Sequence, residues 1–240
     1  MSCNIKDMKM NGIYMVGGYP DMQHFRECLK MACDAKIDFI ETGIPFNDPV
    51  ADGPVISEAL NYMSSKTSVD EIMGILKKES SIKKYIMTYS NVIYNYGTKR
   101  FSTNFSSYLD GIIIPDLPNR MHNFFYDTGF EIPIIPFVTP ESTNKDIMAL
   151  KNCKGDFIYF ISVRGITGGA FNADIKNFQD KINKIRDISG KKVIMGFGIK
   201  SKADIKKVYE TADGAIIGTE VVKRQWDPSS LQSYLTELFA

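Results

Sequence analysis

Eight short apolar segments rich in β-branched residues recur along the chain, and they constrain its fold more than any other feature. They read IYMV at 13–16, DFIE at 38–41, KYIMT at 84–88, GIIIPD at 111–116, PIIPFV at 133–138, DFIYFIS at 156–162, KVIMGFG at 192–198 and GAIIGT at 214–219. Between them the apolar residues take helical spacing. Met22, Phe25, Leu29, Ala32 and Cys33 share one face, as do Ile175, Phe178, Ile182 and Ile185. Strands this uniformly apolar have no wet face, which calls for a parallel sheet covered by helices. Eight such units within 240 residues predict one α/β domain over 1–240, a closed (β/α)8 barrel of the TIM type. An open doubly wound sheet is disfavoured, because no GxGxxG follows the first segment and the eighth ends, like the others, in a polar or glycine-rich loop.

A barrel gathers the C-terminal ends of all its strands on one face, where such folds carry chemistry. The stretch FIETGIPFNDPVADGP at 39–54 runs from the second strand into that face and brings Glu41, Asp48 and Asp52 with it. Strand alternation puts Glu41 on the same side as Phe39, so if one points into the barrel, both do. A carboxyl at an apolar mouth loses hydration, and its pKa rises toward values useful for giving and taking protons. The structural alternative is an ion pair with a lysine or arginine across the mouth. Asp52 precedes Gly53-Pro54 and a helical start, so its plain reading is an N-cap, and Asp48-Pro49 reads as a turn.

Composition narrows the function classes. A net charge of +1, from 29 basic and 28 acidic side chains, sets up no field to attract nucleic acid. The basic cluster KKESSIKK at 77–84 reads as a solvated helix end and loop. Apolar runs stop well short of the ~20 residues of a membrane span, and MSCNIKDMKM has no apolar stretch of a secretory signal. Cys3, Cys28, Cys33 and Cys153 form no CxxC pair, which suits a reducing compartment. A cytoplasmic location is expected, and no metal site.

The loop EtGIPFnDPvADGPvI resembles the one after the second strand in the α subunit of tryptophan synthase. The resemblance continues in order through GGYP at 17–20, TYSNVIYNYG at 88–97, GIIIPDLP at 111–118, YFISVRGITG at 159–168, GFGI at 196–199 and DGAIIGTEVV at 213–222. It implies retro-aldol cleavage of indole-3-glycerol phosphate into indole and glyceraldehyde 3-phosphate. It also puts the family's two catalytic carboxylates on Glu41 and Asp52. Indole C3 must be protonated before the bond to the glycerol chain breaks, and the adjacent hydroxyl must lose its proton as the aldehyde forms. One carboxyl that changes protonation state serves those steps, while a fixed carboxylate beside the ring N–H stabilises the cation. No cofactor is implied here, since the ring accepts the electrons; pyridoxal phosphate belongs to the β subunit on which the α subunit docks, to which it passes indole, in an α2β2 assembly.

Gly198, with Gly196, at the seventh strand and Gly218-Thr219 after the eighth stand where phosphate-binding barrels offer backbone N–H groups, and Gly168, with Gly165 and Gly169, offers further donors. Tyr14, Tyr89, Tyr159 and Phe197 match pocket positions of the family. The run RGITGGAFN at 164–172 is the expected lid, with Thr167 matching the threonine that meets the catalytic aspartate on closure. Three departures stand out: Val163 directly after Ser162 with Arg164 one place later, Asn119-Arg120-Met121 after PDLP, and a short N-terminus. A chain that mainly activates its partner is the competing reading, and other phosphate-binding barrels are distant ones. The presence of both carboxylates argues against the first, and the PFnDPvADGP loop, for which the chemistry of those barrels does not call, against the others.

Overall fold

A computed structural model describes residues 9–161, 178–196 and 198–239. Eight strands run β1 (Met10–Val16), β2 (Phe39–Gly43), β3 (Lys83–Met87), β4 (Gly111–Ile113), β5 (Phe137–Val138), β6 (Phe157–Ile161), β7 (Lys192–Gly196) and β8 (Gly214–Ile217). They form one sheet in the order β4-β3-β2-β1-β8-β7-β6-β5, and every paired neighbour is parallel. A bridge between Ile112 and Ile134 brings the two edges together, with Ile112 N–H donating to Pro133 O (2.9 Å) and Ile135 N–H to Ile112 O (2.8 Å). The barrel reading stands, and the open sheet does not.

The fifth strand is much shorter than the apolar run at 133–138. Pro133 and Pro136 have no N–H to give the ladder, so pairing is broken into single contacts. Their carbonyls still serve, since Pro136 O accepts from Tyr159 N–H at 2.9 Å. At the fourth strand, Pro115 ends the ladder in the same way, and Asp116 lies in the turn beyond it.

Helices α1 (Met22–Asp34), α2 (Pro54–Met63), α3 (Val69–Leu76), α4 (Ser90–Tyr96), α5 (Thr98–Phe105), α6 (His122–Asp127), α7 (Asn144–Met148), α8 (Gln179–Ser189), α9 (Lys202–Tyr209), α10 (Thr219–Arg224) and α11 (Pro228–Phe239) surround the sheet. The predicted face of α1 is the buried one, through Phe25, Cys28, Leu29 and Ala32, and Asp21 caps it by accepting from Gln23 N–H and His24 N–H. The basic cluster at 77–84 is only partly solvated. Lys84 is buried, and its ammonium donates to Leu76 O and Glu79 O at the end of α3.

Two apolar layers result. Ile13, Met15, Ile40 and Ile86 face the helices, whereas Tyr14, Val16, Phe39, Tyr85, Phe157 and Tyr159 face the barrel axis. The lower interior is filled by the rings of Phe39, Tyr85 and Phe157, whose centroids lie 5.2–5.4 Å apart.

Candidate active site

Because Phe39 points inward, so does Glu41 two residues on, and it stands in register with Tyr14 of β1 and Tyr85 of β3. The side chain is fully buried, and neither carboxyl oxygen has a hydrogen-bond partner among the described residues. The lysine or arginine partner of the alternative reading is therefore not found there. Burial, and then the charge of Asp52, push its pKa up to about 8. Near neutral pH the group holds its proton and can give it up.

Asp52 is not the cap of α2. Gly53 takes that place with no side-chain bond, and Pro54 opens the helix. The Asp52 carboxylate instead accepts from the Tyr89 hydroxyl at 2.8 Å, and that hydroxyl accepts from Ala51 N–H at 3.0 Å. Tyr89 is fixed in turn by its position at the start of α4. There Asp116, from the PDLP turn, accepts from Ser90 N–H (2.9 Å) and Ser90 Oγ (2.6 Å). Burial raises the Asp52 pKa to about 6, and the Tyr89 bond opposes the rise. Between those two values Asp52 is charged and Glu41 is neutral, which makes one a fixed anion and the other a proton donor.

Tyr14 and Tyr159 reach the same space. Burial raises both phenols well above the ordinary value, and both carboxylates add to the rise. Glycine makes room for each ring: a Cβ on Gly43 would fall 1.9 Å from the Tyr14 hydroxyl oxygen, and one on Gly196 would fall 2.4 Å from the Tyr159 ring. The GFG glycine at 196 is thus a packing glycine. Gly218 borders the same space, since a Cβ there would lie 3.6 Å from Tyr14 Cβ and 3.4 Å from Ile56 Cδ1. Thr219 opens α10 directly beyond it, and Gly198 is exposed after β7. Thr167, Gly168 and Phe197 lie outside the described residues, as do Gly165, Gly169, Val163 and Arg164.

Two aromatic residues escaped the sequence reading. Phe46 stacks on Tyr89 with centroids 5.0 Å apart, and Phe137 meets Tyr159 edge-on at 5.4 Å. The position of Phe46 inside the PFnDP loop was the available signal; Phe137 gave none. Phe137 is held by a residue first seen as a departure. Asn119 Nδ2 donates to Phe137 O (2.9 Å) and Asn119 Oδ1 accepts from Phe137 N–H (3.2 Å), a two-way clip on the shortened β5. Among the described residues no group of three or more His, Cys, Asp or Glu is placed to hold a metal ion, and no helix is long and apolar enough to cross a membrane.

The family profile of the tryptophan synthase alpha chain matches residues 5–236. The chain belongs to that family. It is 34% identical over 233 residues to the tryptophan synthase alpha chain of Streptococcus pneumoniae (strain ATCC 700669 / Spain 23F-1), covering 93% of this chain and 86% of that one. The tryptophan synthase subunit alpha from Campylobacter jejuni superposes with a TM-score of 0.85 at 26% identity, covering 96% of each chain. A structure of tryptophan synthase from M. tuberculosis, at 24% identity and a TM-score of 0.85 over 99% of this chain and 93% of its own, shares the fold. The chain is accordingly a carbon–carbon lyase of tryptophan biosynthesis, cleaving indole-3-glycerol phosphate to indole and glyceraldehyde 3-phosphate.

Proposed function

We propose that Glu41 is the proton carrier of this cleavage and Asp52 the fixed anion that stabilises the cationic ring. The observation that carries the assignment is a buried carboxyl within β2, unpaired among the described residues, beside a second carboxylate held by Tyr89. Neutral Glu41 gives its proton to indole C3, and Asp52 beside the ring N–H balances the charge that forms. The resulting carboxylate then takes the proton of the glycerol hydroxyl as the carbon–carbon bond breaks and its electron pair returns to the ring. Glu41 ends protonated, as it began, so the proton count closes over one turnover. No step calls for a metal or an organic cofactor.

The phosphate binds, in this reading, through backbone N–H groups around Gly198, Gly218 and Thr219, with Gly168 adding a donor. Tyr14, Tyr89, Tyr159 and Phe197 enclose the ring and glycerol, and Thr167 meets Asp52 when the lid closes. The enzyme works in the cytoplasm as one domain over 1–240. It passes indole to a β subunit in an α2β2 assembly, and pyridoxal phosphate is held only by that partner. Mixing the purified chain with indole-3-glycerol phosphate, with and without a β subunit, tests the reaction: indole and glyceraldehyde 3-phosphate should appear together in equal amounts. No indole under either condition would overturn it.

A further inference from the structure

The upper interior of the barrel holds two buried polar groups at paired positions of the β1–β2 ladder, the Glu41 carboxyl and the Tyr14 hydroxyl. Neither has a hydrogen-bond partner among the described residues. Buried hydroxyls are ordinarily bonded, so one left open inside a polar site is available to a ligand. Tyr85 makes the contrast. It flanks Glu41 from β3 as Tyr14 does from β1, yet its hydroxyl donates to Asp156 Oδ2 at 2.9 Å, away from the mouth.

The course of the Tyr14 side chain says where its hydroxyl acts. The ring starts beside Gly218, where a Cβ would lie 3.8 Å from Tyr14 Cδ1, and it ends over Gly43. Gly43 is two residues beyond Glu41 on the same face of β2, so the hydroxyl sits one pleat nearer the mouth than the carboxyl. A substrate with its phosphate at Gly218 and its ring at Asp52 lays its glycerol carbons along this tyrosine. The phenol, with its pKa raised by burial and then by the charges of Asp52 and Glu41, keeps its proton and can only donate to an anion.

We propose that the Tyr14 hydroxyl donates a hydrogen bond to the glycerol oxygen that becomes the aldehyde, which makes Tyr14 a further catalytic residue. The inference rests on the roles given above to Glu41 and to the phosphate end. Glu41 takes the proton of that oxygen while the carbon–carbon pair moves into the ring, and Tyr14 keeps its own proton throughout. Negative charge builds on the oxygen in the transition state, so the bond is stronger there than in the bound substrate.

Tyr14→Phe keeps the ring over Gly43 and removes only the hydroxyl. Turnover of indole-3-glycerol phosphate should fall roughly 10- to 100-fold, somewhat less than the loss of one oxyanion donor in other enzymes. The Michaelis constant should stay within about threefold, the pattern of a bond made mainly in the transition state. Indolepropanol phosphate, which keeps ring and phosphate but lacks both glycerol hydroxyls, should inhibit wild type and variant equally. Turnover within about threefold of wild type would overturn the proposal, because the missing bond would then not be used. So would a weakening of the inhibitor in step with the loss of turnover, which would make Tyr14 a packing residue. A failure of the underlying assignment looks different, since the wild-type chain would then release no indole at all.

Discussion

Phe39 and Glu41 stand two residues apart on β2 and both point into the barrel, yet they meet opposite surroundings. At the floor, rings fill the space and the polar groups are paired: Asp156 accepts from Tyr85 at 2.9 Å and from Lys83 at 2.5 Å. Burial acts to raise the Asp156 pKa, but those two donors outweigh it and hold the carboxylate low. At the mouth, Glu41 and Tyr14 are buried, unlike the half-exposed Asp156 and Lys83, and have no partner among the described residues. Buried polar groups cost stability when unpaired. The same fold pairs its polar atoms at one end and leaves those of Glu41 and Tyr14 open at the other, where the proposed site would have the substrate meet them.

The largest test of that contrast is Glu41→Gln, which keeps size and removes proton transfer. Cleavage should fall at least ~100-fold, while the protein gains stability where wild type is strained. The raised pKa sets the sign. An unfolded chain loses the Glu41 proton above the ordinary 4.5, whereas the native state keeps it to about 8. Wild-type stability therefore falls with rising pH across that window, by up to about 1.4 kcal/mol per pH unit. Thermal melts of both proteins from pH 4 to 8 should diverge in favour of the variant, and parallel curves would break the comparison. In kinetics, kcat/KM of the wild type should rise through pH about 6 as Asp52 ionises and fall through about 8 as Glu41 does. Asp52→Asn should lose the acid limb without losing a helix cap.

Gly218→Asp sharpens the comparison on the phosphate side. The site has room for a Cβ, whose nearest neighbour would be 3.4 Å away, so the substitution adds charge without forcing packing. The Michaelis constant for indole-3-glycerol phosphate should rise more than ~10-fold, about 1.4 kcal/mol of lost binding, while dephosphorylated indole glycerol stays poor and unchanged. Equal effects on both substrates would remove the phosphate from this end.

A similar magnitude is expected for Asp48→Ala, read through the partner. Pro49 O accepts from Asp52 N–H at 3.2 Å, so a β subunit gripping this turn would set the position of Asp52. Basal cleavage should stay within a few-fold, and stimulation at saturating β subunit should drop roughly tenfold, a typical coupling between linked sites. Undiminished stimulation in the titration would move the coupling to another loop.

The smallest effect belongs to the floor. Tyr85→Phe removes one of the two donors to Asp156, which should cost about 1 kcal/mol and lower the melting temperature by about 2–4 °C. Turnover should not change. Set beside Tyr14→Phe, the pair isolates the difference between the ends, because the same hydroxyl is deleted from the two sides of Glu41.

Periodicity called for a parallel sheet with helices over both faces, and the missing GxGxxG after the first segment turned that reading from an open doubly wound sheet to the barrel. Parity along β2 was enough to turn Glu41 inward once Phe39 was core, and the loop that follows carried its own resemblance in unbroken order. Other features were beyond reach. The short β5 depended on which prolines fell at ladder positions, and its Asn119 clip joins the turn after β4 to β5 across 18 residues of chain. Asp52 read locally as a cap because the preceding-helix position is what local sequence encodes. Its actual partner is Tyr89, 37 residues on, on the next strand's loop. The sequence by itself determined which residues point to the axis, a matter of bond geometry within one strand. Only barrel closure decided how dry that axis is, which carboxyl a tyrosine holds and which is left bare. Desolvation and pairing are set by neighbours from other strands, and those neighbours exist only once the sheet has closed.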